Sequence, residues 1–395
     1  MCQGGFKNSL LNFRENIAPG FTAVLKSFRP NPSTINNRSC SICQMQTHLF
    51  KILAVLFLSL ISACSTTNPN YDPAKPHHTP TGFKNIYSAG TAGFANFLTW
   101  QWERLGKTIA LPTADLSPVA ADLQAINAPK AAQVTWIGHA SALVQMGGFN
   151  ILTDPHFSER AAPVQFAGPK RYQAPGLTLA QLPRIDAVVI SHNHYDHLDL
   201  TSVRALAALP DAPVFYVPLG IDDWFKANVP NAKVFKTDWQ EKHVVKKSGS
   251  ELVMQFLPVQ HWSSRTPFDR LATLWGSWAL LTDRKAVWFS GDLGYSQDTA
   301  NIAKQFPQGF DLSLIAVGAY EPRWFMKGQH INPAEAVMIH REIASRKSVG
   351  IHWGTFSLTD EPLDQPIADL AAARKAQSVD DKAFVLLRHG QTVGF

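Results

Sequence analysis

Cysteine is scarce in this 395-residue sequence, and its four cysteines, Cys2, Cys40, Cys43 and Cys64, all lie within the first 64 residues. The chain after Cys64 therefore has no thiol and no disulfide, which is compatible with an oxidising compartment without requiring one. Cys40 and Cys43 have the C-x-x-C spacing of a redox or metal site, but no second pair accompanies them. We interpret that spacing as chance.

Clusters of basic residues are missing as well. The formal net charge is +6, yet lysine and arginine are scattered and no run of five or six occurs. This distribution argues against nucleic-acid binding. The chain also lacks a Gly-x-Ser-x-Gly elbow and a P-loop. With 45% hydrophobic and 17% charged residues, the composition is that of a globular protein.

The apolar run near the N-terminus is too short to span a bilayer comfortably. It covers Ile52–Leu60, begins shortly after Met45, and ends in Ile61-Ser62-Ala63-Cys64. This arrangement is typical of a secretory signal, and Ile-Ser-Ala-Cys resembles the lipobox of bacterial lipoproteins. We therefore predict a signal peptide over residues 45–63 and a lipidated Cys64 on the membrane surface. A buried helix or a plain membrane anchor is the alternative.

The neighbouring segments are interpreted relative to that signal. Because Ser65 follows Cys64, the expected location is the bacterial cell envelope, on the periplasmic face of the outer membrane. Residues 1–44 are interpreted as sequence upstream of a true start at Met45, with a transit-like leader as the alternative. The polar, proline-rich residues 64–82 are predicted to form a tether, and residues 83–395 the folded domain.

From Gln133 onward, short apolar runs rich in β-forming residues alternate with turns and helical segments. Strands are predicted at runs such as Val134–Ile137 and Ala187–Ile190, and helices at segments such as Leu200–Ala208. Before Gln133, helices are predicted around Ala95–Leu105 and Ser117–Ile126. The mixture indicates an α/β or α+β class. No internal repeat is visible, although two similar sheets could hide one.

The strongest feature is the string Ser191-His-Asn-His-Tyr-Asp-His-Leu-Asp199, which follows an apolar strand and precedes a helix. Four potential ligands fall within six residues, namely His192, His194, Asp196 and His197. Alternation places the first three on one side of an extended segment. Imidazole and carboxylate are ligands that zinc takes, and neutral imidazole also suits iron or manganese. The string therefore predicts a metal site.

This His-x-His-x-Asp-His string resembles the signature of the metallo-β-lactamase superfamily. The resemblance implies an αβ/βα sandwich of two mixed sheets flanked by helices. It also requires three further ligands, each just after a strand, and His261, Asp292 and His352 occur in such contexts. By analogy, one metal would be held by His192, His194 and His261, the other by Asp196, His197 and His352, with Asp292 bridging both.

Two residues match supporting positions of that superfamily. Asp154, in Leu-Thr-Asp-Pro, would orient a ligand imidazole; a turn-starting Asp before Pro155 is the alternative. His139, in Ile-Gly-His-Ala, is interpreted as a structural residue beside the site.

Longer strings narrow the resemblance. SHNHYDHLDL, QHWSSRT, LWGSW, GAYEPRWFMK, QHINPAEAV and IHWGTF resemble the N-acylphosphatidylethanolamine-hydrolysing phospholipase D group, from about residue 80 to the C-terminus. The resemblance implies hydrolysis of a phospholipid phosphodiester with two divalent metal ions, expected to be zinc. These would activate a water for in-line attack, so that no side-chain nucleophile is needed. Asp292 and Asp196 would act in catalysis as well as bind metal.

Substrate contacts are expected in the same strings. His330 matches the group's substrate-side histidine and would hydrogen-bond the phosphate or amide; the alternative is a structural neighbour of the following helix. The segment Arg323-Trp324-Phe325-Met326-Lys327 combines apolar bulk with cationic charge, which suits acyl chains and an anionic head group. An ordinary half-buried loop is the alternative there.

Competing functions remain open at this level. A true β-lactamase is disfavoured because those enzymes lack an acid at the Asp292 position. A lactonase or other carboxyl-ester hydrolase of the same fold is the main rival, and a non-enzymatic envelope lipoprotein is the third possibility. Arg388-His389-Gly390 looks like a histidine-phosphatase signature but lies too close to the end of the sequence.

Overall fold

A computed structural model describes residues 67–87 and 93–395 of the chain. The strands are β1 (His78–Thr79), β2 (Gly82–Phe83), β3 (Gln133–Gly138), β4 (Ser141–Met146), β5 (Phe149–Thr153), β6 (Ala187–Val189), β7 (Val214–Pro218), β8 (Lys233–Thr237), β9 (Lys242–Lys247), β10 (Ser250–Leu257), β11 (Ser277–Leu281), β12 (Ala286–Phe289), β13 (Leu312–Ala316), β14 (Ser348–Ile351), β15 (Phe384–Leu386) and β16 (Thr392–Gly394). The helices are α1 (Phe94–Arg104), α2 (Leu123–Asn127), α3 (Leu200–Ala207), α4 (Ile221–Asn228), α5 (Gln297–Gln305), α6 (Arg323–Met326), α7 (Pro333–Glu342) and α8 (Gln365–Ala376).

Two seven-stranded mixed sheets form the body. One has the order β16-β3-β4-β5-β6-β7-β8 and the other β15-β14-β13-β12-β11-β10-β9. Each sheet contains antiparallel pairs on one side and parallel pairs on the other, so the two halves share one plan. The two mixed sheets flanked by helices confirm the predicted α/β sandwich. The two sheets have the same arrangement of strands, although no repeat is visible in the sequence.

The main apolar core lies between the sheets. Large buried side chains from both sheets form one cluster there, with Trp136 from β3 packed in the same cluster as Trp278 from β11. A second cluster joins the outer face of the first sheet to the helices that cover it, through residues such as Leu206 of α3 and Phe225 of α4. Burying this much apolar surface is the dominant favourable term in folding.

The predicted strands and most predicted helices are present within a residue or two. The strands that sequence reasoning missed include β8, β9 and β16, each of which lies at an edge of a sheet. The side chains of β9 alternate between exposed and half-buried, with Lys242 and Lys246 on the exposed side. Lysine on an edge strand protects against edge-to-edge pairing, and it removes the apolar run that would reveal the strand. The helix predicted over Ser117–Ile126 is corrected to the short α2.

Residues 67–82 are not a free tether. They belong to the compact unit that spans Thr67–Phe395, and β1 pairs with β2 within them. Buried Asp238 holds the segment: its carboxylate accepts hydrogen bonds from Lys75, from His77 at 2.7 Å and from His78 at 3.1 Å. The tether prediction is therefore wrong for residues 67–82, because Asp238, remote in sequence, supplies the partner for these polar groups.

Replacing Asp238 by alanine is expected to lower the free energy of unfolding by about 1–3 kcal/mol, since it leaves buried imidazole donors unpaired. Burial raises the pKa of Asp238, but the hydrogen bonds from His77 and Lys75 outweigh burial and hold this pKa below its ordinary value. A carboxylate with a lowered pKa stabilises the fold above its unfolded pKa of about 4, and that contribution fades as the pH falls further. Chemical denaturation of wild type and Asp238→Ala between pH 7 and pH 3 measures this; a constant difference across that range would contradict it.

The predicted leader, the predicted signal peptide and residues 64–66 lie outside the described residues. Within residues 67–87 and 93–395, no helix is long and apolar enough to cross a membrane.

Candidate metal centre

The predicted ligands meet at one edge of the sandwich because each follows the end of a strand. The His192–His197 loop follows β6, His261 follows β10, Asp292 follows β12 and His352 follows β14. Carboxyl ends of neighbouring parallel strands lie along the same edge of a sheet, which is where open α/β sheets place their sites. Gly291 has a φ of 55°, and a Cβ there would lie 2.6 Å from Ser191 Cβ. A glycine is therefore needed to bring Asp292 close to the β6 loop.

The first cluster consists of His192, His194 and His261. His192 Nε2 lies 2.8 Å from His194 Nδ1, and His261 Nε2 lies 3.4 Å from the same atom. The other ring nitrogens of His192 and His261 are engaged elsewhere, with Ser191 Oγ at 2.9 Å and the carbonyl oxygen of Gln329 at 2.9 Å. Such outer hydrogen bonds fix the tautomer and leave the facing nitrogen free for a metal.

The second cluster consists of Asp196, His197 and His352. His352 Nε2 lies 3.2 Å and His197 Nε2 lies 3.3 Å from Asp196 Oδ2. Asp292 connects the two clusters. Its Oδ2 is 3.1 Å from the Nε2 atoms of His197 and His352, and 3.8 Å from His192 Nε2. All seven predicted ligands are thus brought together, with Asp292 facing both groups as the resemblance required.

The side chains of the two clusters are arranged to bind metal ions rather than to pair with one another. Asp292 Oδ1 is buried without a hydrogen-bond partner among the described residues. His197 Nε2 is buried too and, although it lies 3.1 Å from Asp292 Oδ2, the geometry there is not that of a hydrogen bond. The three nitrogens of the first cluster lie within 4.8 Å of one another, a spacing that a single tetrahedral ion accommodates. Burial lowers the pKa of His192 and of His261 well below the ordinary value. Both rings are therefore neutral, which is the form that binds metal.

The charge balance of the second cluster also favours a cation. Burial raises the pKa of Asp292, but the neighbouring His197 and His352 lower it by more, so the pKa lies well below its ordinary value. Burial lowers the pKa of His352, but Asp292 and Asp196 outweigh it and raise that pKa to about 9. The carboxylates therefore attract positive charge to the space between these side chains, and a divalent ion supplies it when it replaces the imidazole protons.

Asp154 lies beneath the site and is fully buried. One carboxylate oxygen accepts from Ser191 N at 2.7 Å, and the other lies 2.7 Å from His197 Nδ1. That second oxygen also accepts from Ser191 Oγ, which in turn faces His192 Nδ1. Asp154 therefore orients His197 directly and His192 through Ser191, as an orienting residue should. A mere turn-starting role does not account for these bonds.

His330 lies at the open side of the centre. Its Nδ1 is 3.9 Å from Asp292 Oδ2 and has no hydrogen-bond partner within the described part of the chain. Burial lowers the pKa of His330 to about 4, with Asp292 opposing, so the ring is neutral near pH 7. The structure places His330 beside His261 and Asp292, and its substrate role stays a prediction.

The loop before His330 uses two of the predicted substrate residues for its own packing. Arg323 donates to the carbonyl oxygen of His330 at 2.9 Å and to Glu335 Oε2 at 2.8 Å. The ring of Phe325 is buried and stacks on Trp100 of α1 with centroids 5.1 Å apart. Arg323 and Phe325 therefore have packing partners within the protein, and their substrate role stays a prediction. Trp324 and Lys327 are exposed, and their substrate role stays a prediction.

Sequence reasoning missed some neighbours of the centre. The ring of Trp262 packs edge-on to His194 at 4.4 Å, and Arg270 lies over the same indole at 4.1 Å. The adjacency of Trp262 to His261 was the available signal. His389, from the phosphatase-like string, is buried with Nε2 3.0 Å from Thr355 Oγ1 and Nδ1 2.9 Å from the carbonyl oxygen of Ala174. Within the described residues, both ring nitrogens of His389 are thus engaged in packing contacts of the fold.

Two mixed sheets flanked by helices, with a histidine and aspartate centre at one edge, define a metal-dependent hydrolase of the metallo-β-lactamase fold. A family model described as a β-lactamase superfamily domain matches residues 149–353, and the chain belongs to this family.

Within this family, the chain is similar to two proteins named as phospholipases D. The chain is 38% identical over 266 residues to N-acyl-phosphatidylethanolamine-hydrolyzing phospholipase D 1 of Caenorhabditis elegans, which covers 65% of this chain and 74% of that protein. It is 35% identical over 234 residues to the mitochondrial enzyme of the same name from Saccharomyces cerevisiae, covering 59% of this chain and 49% of that one. The resemblance read from the sequence is thereby confirmed.

Among solved structures, isothiocyanate hydrolase from Delia radicum gut bacteria aligns with a TM-score of 0.52 at 18% identity, over 67% of this chain and 99% of that one. A likeness at that identity bears on the fold alone.

Proposed function

We propose that this protein is a dinuclear phosphodiesterase of the phospholipase D type, acting on N-acylphosphatidylethanolamine or a related phospholipid with two zinc ions. The observation that carries the proposal is the position of Asp292, whose carboxylate faces both histidine clusters at 3.1 to 3.8 Å. The two relatives named as phospholipases D support the substrate class.

The two ions, when bound, would supply an activated water and stabilise negative charge on the phosphoryl oxygens. Asp292 would hold both ions and accept the proton of the attacking water through its unpartnered Oδ1. Neutral His330 would donate a hydrogen bond to a phosphoryl or amide oxygen, because one of its ring nitrogens carries a proton and Nδ1 has no partner among the described residues. In-line displacement at phosphorus would release the head-group alcohol.

An exposed apolar surface on α1, which packs against the segment that precedes His330, supports a lipid substrate. On α1, Leu98 is 51% exposed and Trp102 is 76% exposed, and Leu105 directly after the helix is 71% exposed. The opposite face of α1 anchors this surface to the site loop, since Trp100 stacks on Phe325. Exposed apolar clusters of this kind mark membrane or ligand contact sites, and tryptophan favours the membrane interface.

Trp102→Ser is expected to lower turnover of phospholipid in vesicles about tenfold relative to turnover of a soluble phosphodiester, because it removes apolar area that would be buried in the lipid. The matched control is Phe235→Ser, which removes an aromatic ring 52% exposed on the edge strand β8. Initial rates on vesicles and on bis-nitrophenyl phosphate measure the ratio. Equal ratios in wild type and both variants would show that α1 does not contact lipid.

The function itself is tested by incubating the zinc-loaded protein with N-acylphosphatidylethanolamine, phosphatidylethanolamine, bis-nitrophenyl phosphate and an acyl lactone. A His194→Ala variant serves as control. The expected result is release of phosphatidic acid that requires His194. Lactone cleavage without phosphodiester cleavage would instead assign a carboxyl-ester hydrolase, and metal binding without any turnover would assign a binding lipoprotein.

We further propose that the protein is anchored to the bacterial cell envelope through a lipidated Cys64, at the periplasmic face of the outer membrane. The Ile61-Ser62-Ala63-Cys64 string supports the anchor, and the compact unit begins shortly after it, at Thr67. Cys64→Ser is expected to move the protein from the membrane fraction to the soluble fraction. Continued membrane association of that variant would argue for another mode of attachment.

A further inference from the structure

His139 lies in the turn between β3 and β4, outside the ligand signature, and its backbone is in the left-handed region with a φ of 53°. Three hydrogen bonds hold that conformation. His139 N donates to Thr355 Oγ1 at 2.8 Å, and its carbonyl oxygen accepts from Trp136 Nε1 and from the backbone N–H of His352, both at 2.9 Å. Non-glycine residues held in this region cluster at functional sites.

The ring of His139 contacts two of the predicted ligands of one metal. Its Nε2 lies 2.9 Å from Asp196 Oδ2, and its ring centroid lies 4.0 Å from that of His352. His139 Nδ1 is buried and has no hydrogen-bond partner in the described residues. The ring nitrogen that carries the proton is therefore Nε2, which is the only one that faces an acceptor.

We propose that His139 is a positioning residue for the metal held by Asp196, His197 and His352, and that it acts by donating a hydrogen bond from Nε2 to Asp196 Oδ2. This inference rests on the two-metal part of the proposed function and is independent of the lipid substrate.

The carboxylate geometry allows both roles. Each oxygen of a carboxylate has two lone pairs, so Asp196 Oδ2 can accept from His139 with one while the other faces His197 and His352. The His139 bond removes the rotational freedom of a side chain that is otherwise partly open to solvent. The hydrogen bond from the backbone N–H of His352 to the carbonyl oxygen of His139 holds the end of β14 next to the same turn. One residue thus fixes two ligands that are far apart in the sequence.

The test compares His139→Phe with His139→Gln. Both variants place a residue without a left-handed preference at this turn, so they share the backbone cost. They differ in the donor, because the terminal amide of glutamine reaches the position of Nε2 and phenylalanine keeps only the ring. Metal content is measured by mass spectrometry after dialysis of the full-length protein against a graded series of chelator concentrations.

His139→Phe is expected to weaken binding of one zinc by about 10- to 100-fold and to leave the other unchanged, while His139→Gln stays near wild type. In a His261→Ala background, which disables the first cluster, His139→Phe is expected to remove the remaining zinc. Equal losses in the Phe and Gln variants, equal loss of both ions, or no loss would overturn the proposal. If His139→Phe does not fold, His139→Asn replaces it, since its amide reaches only the Nδ1 position.

The wild-type protein separates this inference from the proposed function. If it binds two zinc ions and His139→Phe also binds two with unchanged affinity, only the role of His139 is wrong. If wild type binds a single zinc, the dinuclear proposal fails, and the positioning role fails with it.

Discussion

Asp292→Asn is expected to lower phosphodiester turnover at least about a thousandfold, equivalent to roughly 4 kcal/mol of transition-state stabilisation. The carboxylate faces both clusters, with Oδ2 3.1 Å from His352 Nε2 and 3.8 Å from His192 Nε2. An amide keeps the shape but removes the negative charge and one acceptor, so it cannot bridge two cations as an anion. Metal content should fall from two ions to one or fewer.

Asp283→Asn is the matched control for that change. Asp283 lies in the turn between β11 and β12, its side chain is 76% exposed, and its ion pair with Arg284 spans 3.7 Å. Exposed pairs of this type contribute little, so metal content and turnover should equal those of wild type. If the Asp292→Asn protein retained both ions and more than about a tenth of the activity, Asp292 would not be required for metal binding or for catalysis.

Asp154→Asn is expected to weaken metal binding at the His197 position by about 10- to 100-fold, although Asp154 touches no metal. His197 Nδ1 now donates to Asp154, which leaves Nε2 bare and directed at Asp292. If the new amide nitrogen faces His197, Nδ1 must accept and the proton moves to Nε2, which can then no longer bind. If the amide is reversed, its nitrogen meets the N–H of Ser191, which is also a donor.

The measurement for Asp154→Asn is the same chelator series, with the wild-type protein alongside and circular dichroism to verify the fold. Asp222→Asn provides a control at a carboxylate that is also mostly buried but binds Lys226 on α4. We expect Asp222→Asn to retain both ions. Full metal affinity in Asp154→Asn would show that the tautomer of His197 is set by something other than Asp154.

Local sequence patterns, with the family resemblance that they carry, were sufficient to identify the candidate ligands and most of the elements that present them. His192, His194 and His197 stand in one short string after an apolar strand, and His261, Asp292 and His352 each follow an apolar run. Runs of buried β-branched and aromatic residues predict strands because those strands are covered on both faces. Edge strand β9 carries no such run, because Lys242 and Lys246 are exposed to solvent there.

The sequence by itself therefore determined the class of the fold and the seven candidate ligands. Four of these share one short string, and the resemblance to the metallo-β-lactamase superfamily pointed to the other three, each after an apolar run. Only the tertiary structure decided which distant groups meet. It placed His139 against Asp196 across 57 positions, paired Lys75 and His77 with Asp238, and used Arg323 to hold the His330 loop. Hydrogen bonds of this kind depend on how strands and loops come together in space, and a local pattern contains no information about a partner that lies elsewhere in the chain.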